Sequence, residues 1–544
     1  MHQPPFRLPA GALDRRRLLA GAAAGGGLIL GAPLLRAAPV TEPGVVRTQG
    51  GLVRGAMDGG VHVFRGIPYG ADTGSARRFL PPAPAPRWRG VRPALAFGSR
   101  APQLAPPGAP ATSRGPVQGE DCLVLNIWTP GLPSSRPTGA MARRPVMVWF
   151  HGGGFALGGG DEPVNDGVRL CRRRDVVLVT INHRLNAFGY LHFGSLAKAG
   201  EAISNAGQLD GVAALRWVRD NIAAFGGDPG NVTVFGQSGG GSKVAALLAM
   251  PAARGLFHRA ILESGFGTYT IAPADAEAQT AAIIRKLGLE PGAPGTIAAL
   301  RAVPAARLLE ALQAVTGGDP TKGPGVVADG VVVPNTPFGP GAPPPSPDVP
   351  LLVCHTATET TGLFAPPGAF DLDWAQLPAM LAGKVRDPAP LIAGWRALRP
   401  AASASDVYFQ VTTELGMGRN ARIAADLRAG QGAPVFAALL DWRAPGQGGR
   451  MRSPHGLELP LVFDTVGSAS GLLGPDPAGA QALADVMSAA WTNFARTGNP
   501  NGSAVPHWPA YDLPRRATMV FDSASAARPD PLGAEQALIE QALA

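Results

Sequence analysis

The stretch Gly236-Gln237-Ser238-Gly239-Gly240 constrains this chain more than any other. It joins an apolar run at 231–235, which reads as a strand, to a helical segment near 240–250. A serine on a sharp strand-to-helix turn sits in strained backbone with its hydroxyl exposed. Small residues two before and two after it are required, because the chain packs tightly on itself there. The helix that follows aims its N-terminal N–H groups at the same point. Two rival readings exist. Glycine is abundant (73 of 544 residues), so a turn with no chemical role is one. A phosphate-binding loop is the other, since Gly236 to Lys243 nearly matches G-x-x-x-x-G-K-[ST]. Ser242 and Lys243 stand in the wrong order for it.

A second glycine cluster, His151-Gly152-Gly153-Gly154-Phe155, follows the apolar run 145–150. Glycines after a strand let bare backbone N–H groups face a cavity. Acyl transfer needs such donors, because its tetrahedral intermediate carries an oxyanion. Each donor is worth about 2.7–4 kcal/mol in the transition state. Gly153 and Gly154 supply two and Gly239, just after the serine, a third.

The rest of the pattern indicates the fold. Residues 44–66 alternate around glycine pairs and predict a hairpin of short strands. Runs at 123–128, 145–150, 176–181, 231–235, 260–263, 349–354, 433–440 and 518–521 read as strands. Those at 145–150 and 176–181 lack alternation, which predicts a sheet buried on both faces. Helical spacing appears at 209–225 and 480–497, and a polar helical pattern at 273–315. Strands alternating with helices imply an α/β doubly wound architecture. The chain is 45% hydrophobic and 16% charged, enough for a large core and too little charged for a disordered chain.

Charge and cysteine content exclude several functions. The net charge is +9, but only five of 48 basic residues are lysine. Triple-basic runs occur at Arg15-Arg16-Arg17 and Arg172-Arg173-Arg174, without a basic stripe interleaved with aromatics, so nucleic acid is not an expected partner. Cys122, Cys171 and Cys354 make no disulfide scaffold and have no zinc-site spacing.

The first forty residues read as an address. Asp14-Arg15-Arg16-Arg17-Leu18-Leu19 precedes an uncharged, Ala/Gly-rich stretch, and Arg36-Ala37-Ala38-Pro39 offers small residues for cleavage. This resembles a twin-arginine (Tat) signal peptide over 1–38, so residues 39–544 are expected to be exported to the periplasm or secreted. The alternative is an uncleaved membrane anchor. No other stretch is long and apolar enough to span a bilayer.

Six segments carry a family resemblance: Phe64-Arg-Gly-Ile-Pro-Tyr69, Glu120-Asp-Cys-Leu-Val-Leu-Asn126, the 151–155 loop, Asn182-His-Arg-Leu185, Phe225 to Ser238, and Ser453-Pro-His-Gly-Leu-Glu-Leu-Pro460. In this order they resemble the type B carboxylesterase/lipase family, which includes cholinesterases and bacterial esterases. The resemblance implies the α/β-hydrolase fold, a mostly parallel central sheet with helices on both faces. Departures are few. The family's cysteine in Glu-Asp-Cys often pairs with an upstream one, and none precedes Cys122. Gly239 replaces an alanine and His183 a tyrosine. Gln237 stands where cholinesterases carry glutamate, which argues against choline esters.

A serine hydroxyl needs a base. Of nine histidines, His2 lies in the leader and His151 in the glycine loop, while His62, His183, His192, His258 and His355 lie in or beside strands and turns. His455 and His507 remain, and the family motif falls on His455. For this fold the acid lies between serine and base in sequence. Glu359 follows the strand 349–354, and the resemblance places a glutamate there; Glu458 and Asp406 are rivals. Glu359 would orient His455. His455 would take the Ser238 proton and return it to the leaving alcohol, and water would release the acyl group. The resemblance also implies ion pairs Arg78–Glu120 and Arg184–Asp210, and Phe155 is expected to line the site. The expectation is an exported serine hydrolase of small carboxylic esters, with no metal or cofactor. The alternatives are a non-catalytic binding relative and a hydrolase of amides or carbamates.

Overall fold

A computed structural model describes residues 44–104, 117–133, 143–341, 346–362, 365–474 and 478–544. The signal expected at 1–38 lies outside the described residues, as does part of the Pro-rich loop at 336–348.

One eleven-stranded sheet organises the chain. From edge to edge its strands are Ala526–Pro529, Ala517–Phe521, Val435–Leu440, Leu351–Thr356, Arg259–Glu263, Gly227–Gln237, Arg144–Phe150, Val177–Ile181, Val124–Thr129, Val61–Pro68 and Ala56–Asp58. All neighbours from Ala517–Phe521 to Val177–Ile181 pair in parallel, and antiparallel strands close both edges. Val45–Arg47, Leu52–Arg54 and Val91–Pro93 form a second, three-stranded sheet. The α/β-hydrolase architecture expected from the sequence is thus present, a mostly parallel sheet flanked by helices.

The unbroken apolar strands have the predicted cause. Along Arg144–Phe150, Val146, Val148 and Phe150 enter one core, and Met147 and Trp149 the opposite one. The first core takes Leu215 and Val218 from helix Ala206–Asn221 and Val244 and Leu247 from helix Gly239–Ala249. The second takes Met487, Trp491 and Phe494 from helix Ala478–Thr497. Two faces of apolar cover leave no alternation for the sequence to display.

The helical stretch at 273–315 is three helices, Pro273–Lys286, Thr296–Ala302 and Ala305–Thr316. Gly288 and Gly295 between the first two adopt φ of +77° and +84°, which ends a right-handed helix. A further apolar cluster joins Trp395, Phe409 and Ile539 from helices Pro388–Leu398, Ala404–Thr413 and Gly533–Leu543. Among the described residues no helix is long and apolar enough to cross a membrane.

Candidate active site

Ser238 stands at the C-terminal end of a central strand, with φ 57° and ψ −126°, immediately before helix Gly239–Ala249. The steric need for its glycines is visible. A Cβ at Gly236 would lie 2.5 Å from the Gly240 carbonyl carbon and 2.7 Å from the Phe150 carbonyl oxygen. A Cβ at Gly240 would overlap that same oxygen. The Ser238 N–H donates to the Glu263 carbonyl at 2.7 Å, and its carbonyl accepts from the Ser242 N–H at 3.1 Å. The strained residue is held at both ends, as strain requires.

His455 and Glu359 meet behind this turn. His455 Nδ1 lies 2.6 Å from Glu359 Oε2. The other Glu359 oxygen accepts from the Ser264 hydroxyl at 2.6 Å and the Thr356 N–H at 2.8 Å. Burial favours the neutral acid, but the His455 charge and these hydrogen bonds outweigh it, so Glu359 titrates below its ordinary value. Burial likewise favours neutral imidazole, yet Glu359, helped by Glu458, lifts His455 above its ordinary value. At Nε2 of His455 stands the side-chain amide nitrogen of Gln237, 3.0 Å away. His455 thereby adjoins the residue preceding Ser238.

The rival acids serve otherwise. Asp406 caps helix Ala404–Thr413 through Ser403 and pairs with Arg452 at 2.5 Å. Glu458 is fully buried, and burial, then Glu359 and Glu263, push it up to about 8. Among the described residues neither of its carboxyl oxygens has a hydrogen-bond partner. Glu263, which accepts from Trp491 Nε1, is raised to about 8 by burial.

The glycine loop also adjoins the serine turn. A Cβ at Gly152 would sit 3.6 Å from Ser238 Cβ. Gly153 and Gly154 adopt φ of +84° and +62°, and a Cβ on Gly239 would overlap the Gly154 carbonyl. The loop's carbonyls are all engaged. Gly152 O faces His151 Nδ1 at 2.9 Å, and Gly153 O accepts from the Ala156 and Leu157 N–H groups at 3.2 and 3.0 Å. The His151 and Gly154 carbonyls accept from Lys243 Nζ at 3.1 and 2.9 Å. Phe155 follows, half-buried, with its ring edge on Tyr190 at 4.9 Å.

Both ion pairs are present. Arg78 Nε donates to Glu120 at 2.7 Å, and Arg184 grips Asp210 through Nε and Nη2 at 2.8 and 2.6 Å. The three cysteines are buried thiols. Among the described residues no three His, Cys, Asp or Glu side chains cluster as a metal site would. A cavity of about 450 Å³ borders Glu359 and Thr360, in the turn after the strand Leu351–Thr356, and Tyr408, Thr412 and Met417, on helical segments for which the sequence offers no motif.

The sequence pattern pointed to Ser238, Glu359 and His455, and the structure brings Glu359 onto His455 and His455 beside the serine turn. It did not announce Ser264 or Lys243. Ser264 follows a strand that reads only as core, and Lys243 looked like a misplaced phosphate-loop residue.

Comparison with known proteins identifies the family. The model of the carboxylesterase family matches residues 42–368 and 392–534. The chain is 36% identical over 505 residues to the para-nitrobenzyl esterase of Bacillus subtilis, spanning 90% of this chain and 96% of that one. It is 34% identical over 510 residues to the phenmedipham hydrolase of Pseudarthrobacter oxydans, spanning 90% and 98%. The crystal structure of a Geobacillus stearothermophilus carboxylesterase superposes with a TM-score of 0.77 at 37% identity, covering 91% of this chain and 99% of that one. The chain belongs to the carboxylesterase family, a family of carboxylic ester hydrolases, and has its α/β-hydrolase fold.

Proposed function

We propose that the protein hydrolyses small carboxylic esters through an acyl-enzyme on Ser238. The observation that carries this is the 2.6 Å contact of Glu359 with His455 beside the strained serine turn. Glu359 fixes the tautomer, with the proton on Nδ1, so the Nε2 lone pair faces the serine side. As Ser238 attacks the ester carbonyl, its proton passes to His455 Nε2. The carbonyl oxygen gains charge and is met by the N–H groups of Gly153, Gly154 and Gly239. The imidazolium, stabilised by Glu359, then protonates the departing alcohol. Water, deprotonated by the same imidazole, cleaves the acyl-enzyme and frees the acid and Ser238. Phe155 lines the site beside the loop.

The test is turnover of 4-nitrophenyl esters of short and long acyl chains by the wild type and Ser238→Ala. A nucleophile's loss costs up to about 10⁶-fold in kcat. Ser238→Ala retaining turnover overturns the mechanism.

The protein acts after export. The twin arginine at Arg15-Arg16, the uncharged stretch after it and the small residues near Ala38 support this reading. Fractionation of cells, with N-terminal sequencing of the mature protein, tests it; full-length protein confined to the cytoplasm overturns it.

A further inference from the structure

Lys243 has no place in the mechanism above, yet its side chain is wholly buried beside the glycine loop. It lies five residues after Ser238, on the second turn of the helix the serine precedes. A buried ammonium normally needs a carboxylate partner, because desolvation is costly. Among the described residues Lys243 has none, and burial alone brings it down to about 7. Its polar partners are the His151 and Gly154 carbonyls, at 3.1 and 2.9 Å, and its nitrogen lies 5.5 Å from the Phe155 ring centre.

These two carbonyls occupy particular places. The N–H groups of Gly153 and Gly154 belong to the peptide planes 152–153 and 153–154. The His151 carbonyl belongs to the plane before them, the Gly154 carbonyl to the plane after. Lys243 therefore grips the loop at both ends of its donor pair. An ammonium has three N–H donors and a neutral amine two, so the grip persists in either protonation state. The Gly154 carbonyl thus occupies space that a Cβ at residue 239 would need, and residue 239 is glycine.

We propose that Lys243 is the positioning residue of the oxyanion loop, locking the Gly153 and Gly154 N–H groups to the helix that carries the nucleophile. The role rests on the mechanism proposed above. It predicts a loss confined to the transition state, since a loop free to turn still admits substrate but meets the oxyanion poorly.

The experiment compares Lys243→Met and Lys243→Gln in the full chain, using 4-nitrophenyl acetate and an alkyl trifluoromethyl ketone, which adds to the serine as a tetrahedral oxyanion. Lys243→Met should lower kcat about 100-fold with KM within about threefold, and weaken the ketone by the same factor as kcat/KM. Lys243→Gln, keeping an amide donor for the carbonyls, should recover about tenfold of this. If Lys243→Met does not fold, Lys243→Gln decides alone: kcat and ketone affinity should fall together about tenfold. Folded variants with kcat within about threefold of wild type, or a loss carried by KM alone, overturn the proposal. Ser238→Ala separates the two failures. If it is inactive while Lys243→Met is fully active, only the positioning role falls; if it stays active, the mechanism falls and this role with it.

Discussion

The Gln237 side-chain nitrogen lies 3.0 Å from His455 Nε2, the ring atom that accepts the serine proton in the proposed mechanism. An amide there donates a hydrogen bond to the lone pair without adding charge. The consequence is a base whose affinity for protons is set chiefly from its other side, by Glu359.

Gln237→Glu changes that balance. A carboxylate at Nε2 favours the imidazolium, so the acid limb of kcat/KM against pH should move up by about one unit. A pH–rate profile measures it, and an unmoved limb contradicts the electrostatic account of the base.

The wild-type profile has a defined direction. In the proposed mechanism His455 must be neutral to act, and it titrates above its ordinary value of 6.5. Activity should therefore fall as pH drops through a midpoint above about 6.5. Glu359→Gln removes the main lifting charge, so the limb should shift to lower pH while kcat drops about 10³–10⁴-fold.

Glu263 and Glu458 should make stability depend on pH. Both titrate near 8 in the fold against an ordinary 4.5. Between those values the folded chain holds protons that the unfolded chain has released. Their contribution is therefore full below about pH 4.5 and lost as pH rises through about 8. Glu458→Gln should raise the melting temperature at pH 8.5 by about 2–4 °C relative to wild type and change little at pH 5. Thermal melts at the two pH values check it.

The Arg184–Asp210 pair is buried on both sides, at 1% and 0% side-chain exposure. Arg184→Met strands the Asp210 carboxylate and should cost about 3–5 kcal/mol. The double replacement Arg184→Met with Asp210→Leu should cost less than Arg184→Met alone, as read by urea unfolding.

Much of this was legible in the sequence because local sterics and period leave marks there. Gly236 and Gly240 are readable since the Phe150 carbonyl leaves no room for a Cβ at either. The strand ending at Phe150 is readable since both its faces are apolar. Glu359 was assigned from its place after a strand together with the family resemblance, and the structure sets it 2.6 Å from His455. The role of Lys243 was not legible, because it depends on which carbonyls a distant loop turns toward the helix. The breaks inside 273–315 were blurred for the opposite reason: several short helices share one polar periodicity, and only the turns at Gly288 and Gly295 separate them.

Ser238, Glu359 and His455 lie far apart in the chain, the first at a strand end and the others in later turns, the last of them 217 residues after the serine. During synthesis the serine turn leaves the ribosome long before its base exists. A nascent or truncated chain ending short of residue 455 carries a hydroxyl with nothing to remove its proton. In the proposed mechanism hydrolytic power therefore waits until residue 455 has been made, rather than building up with length.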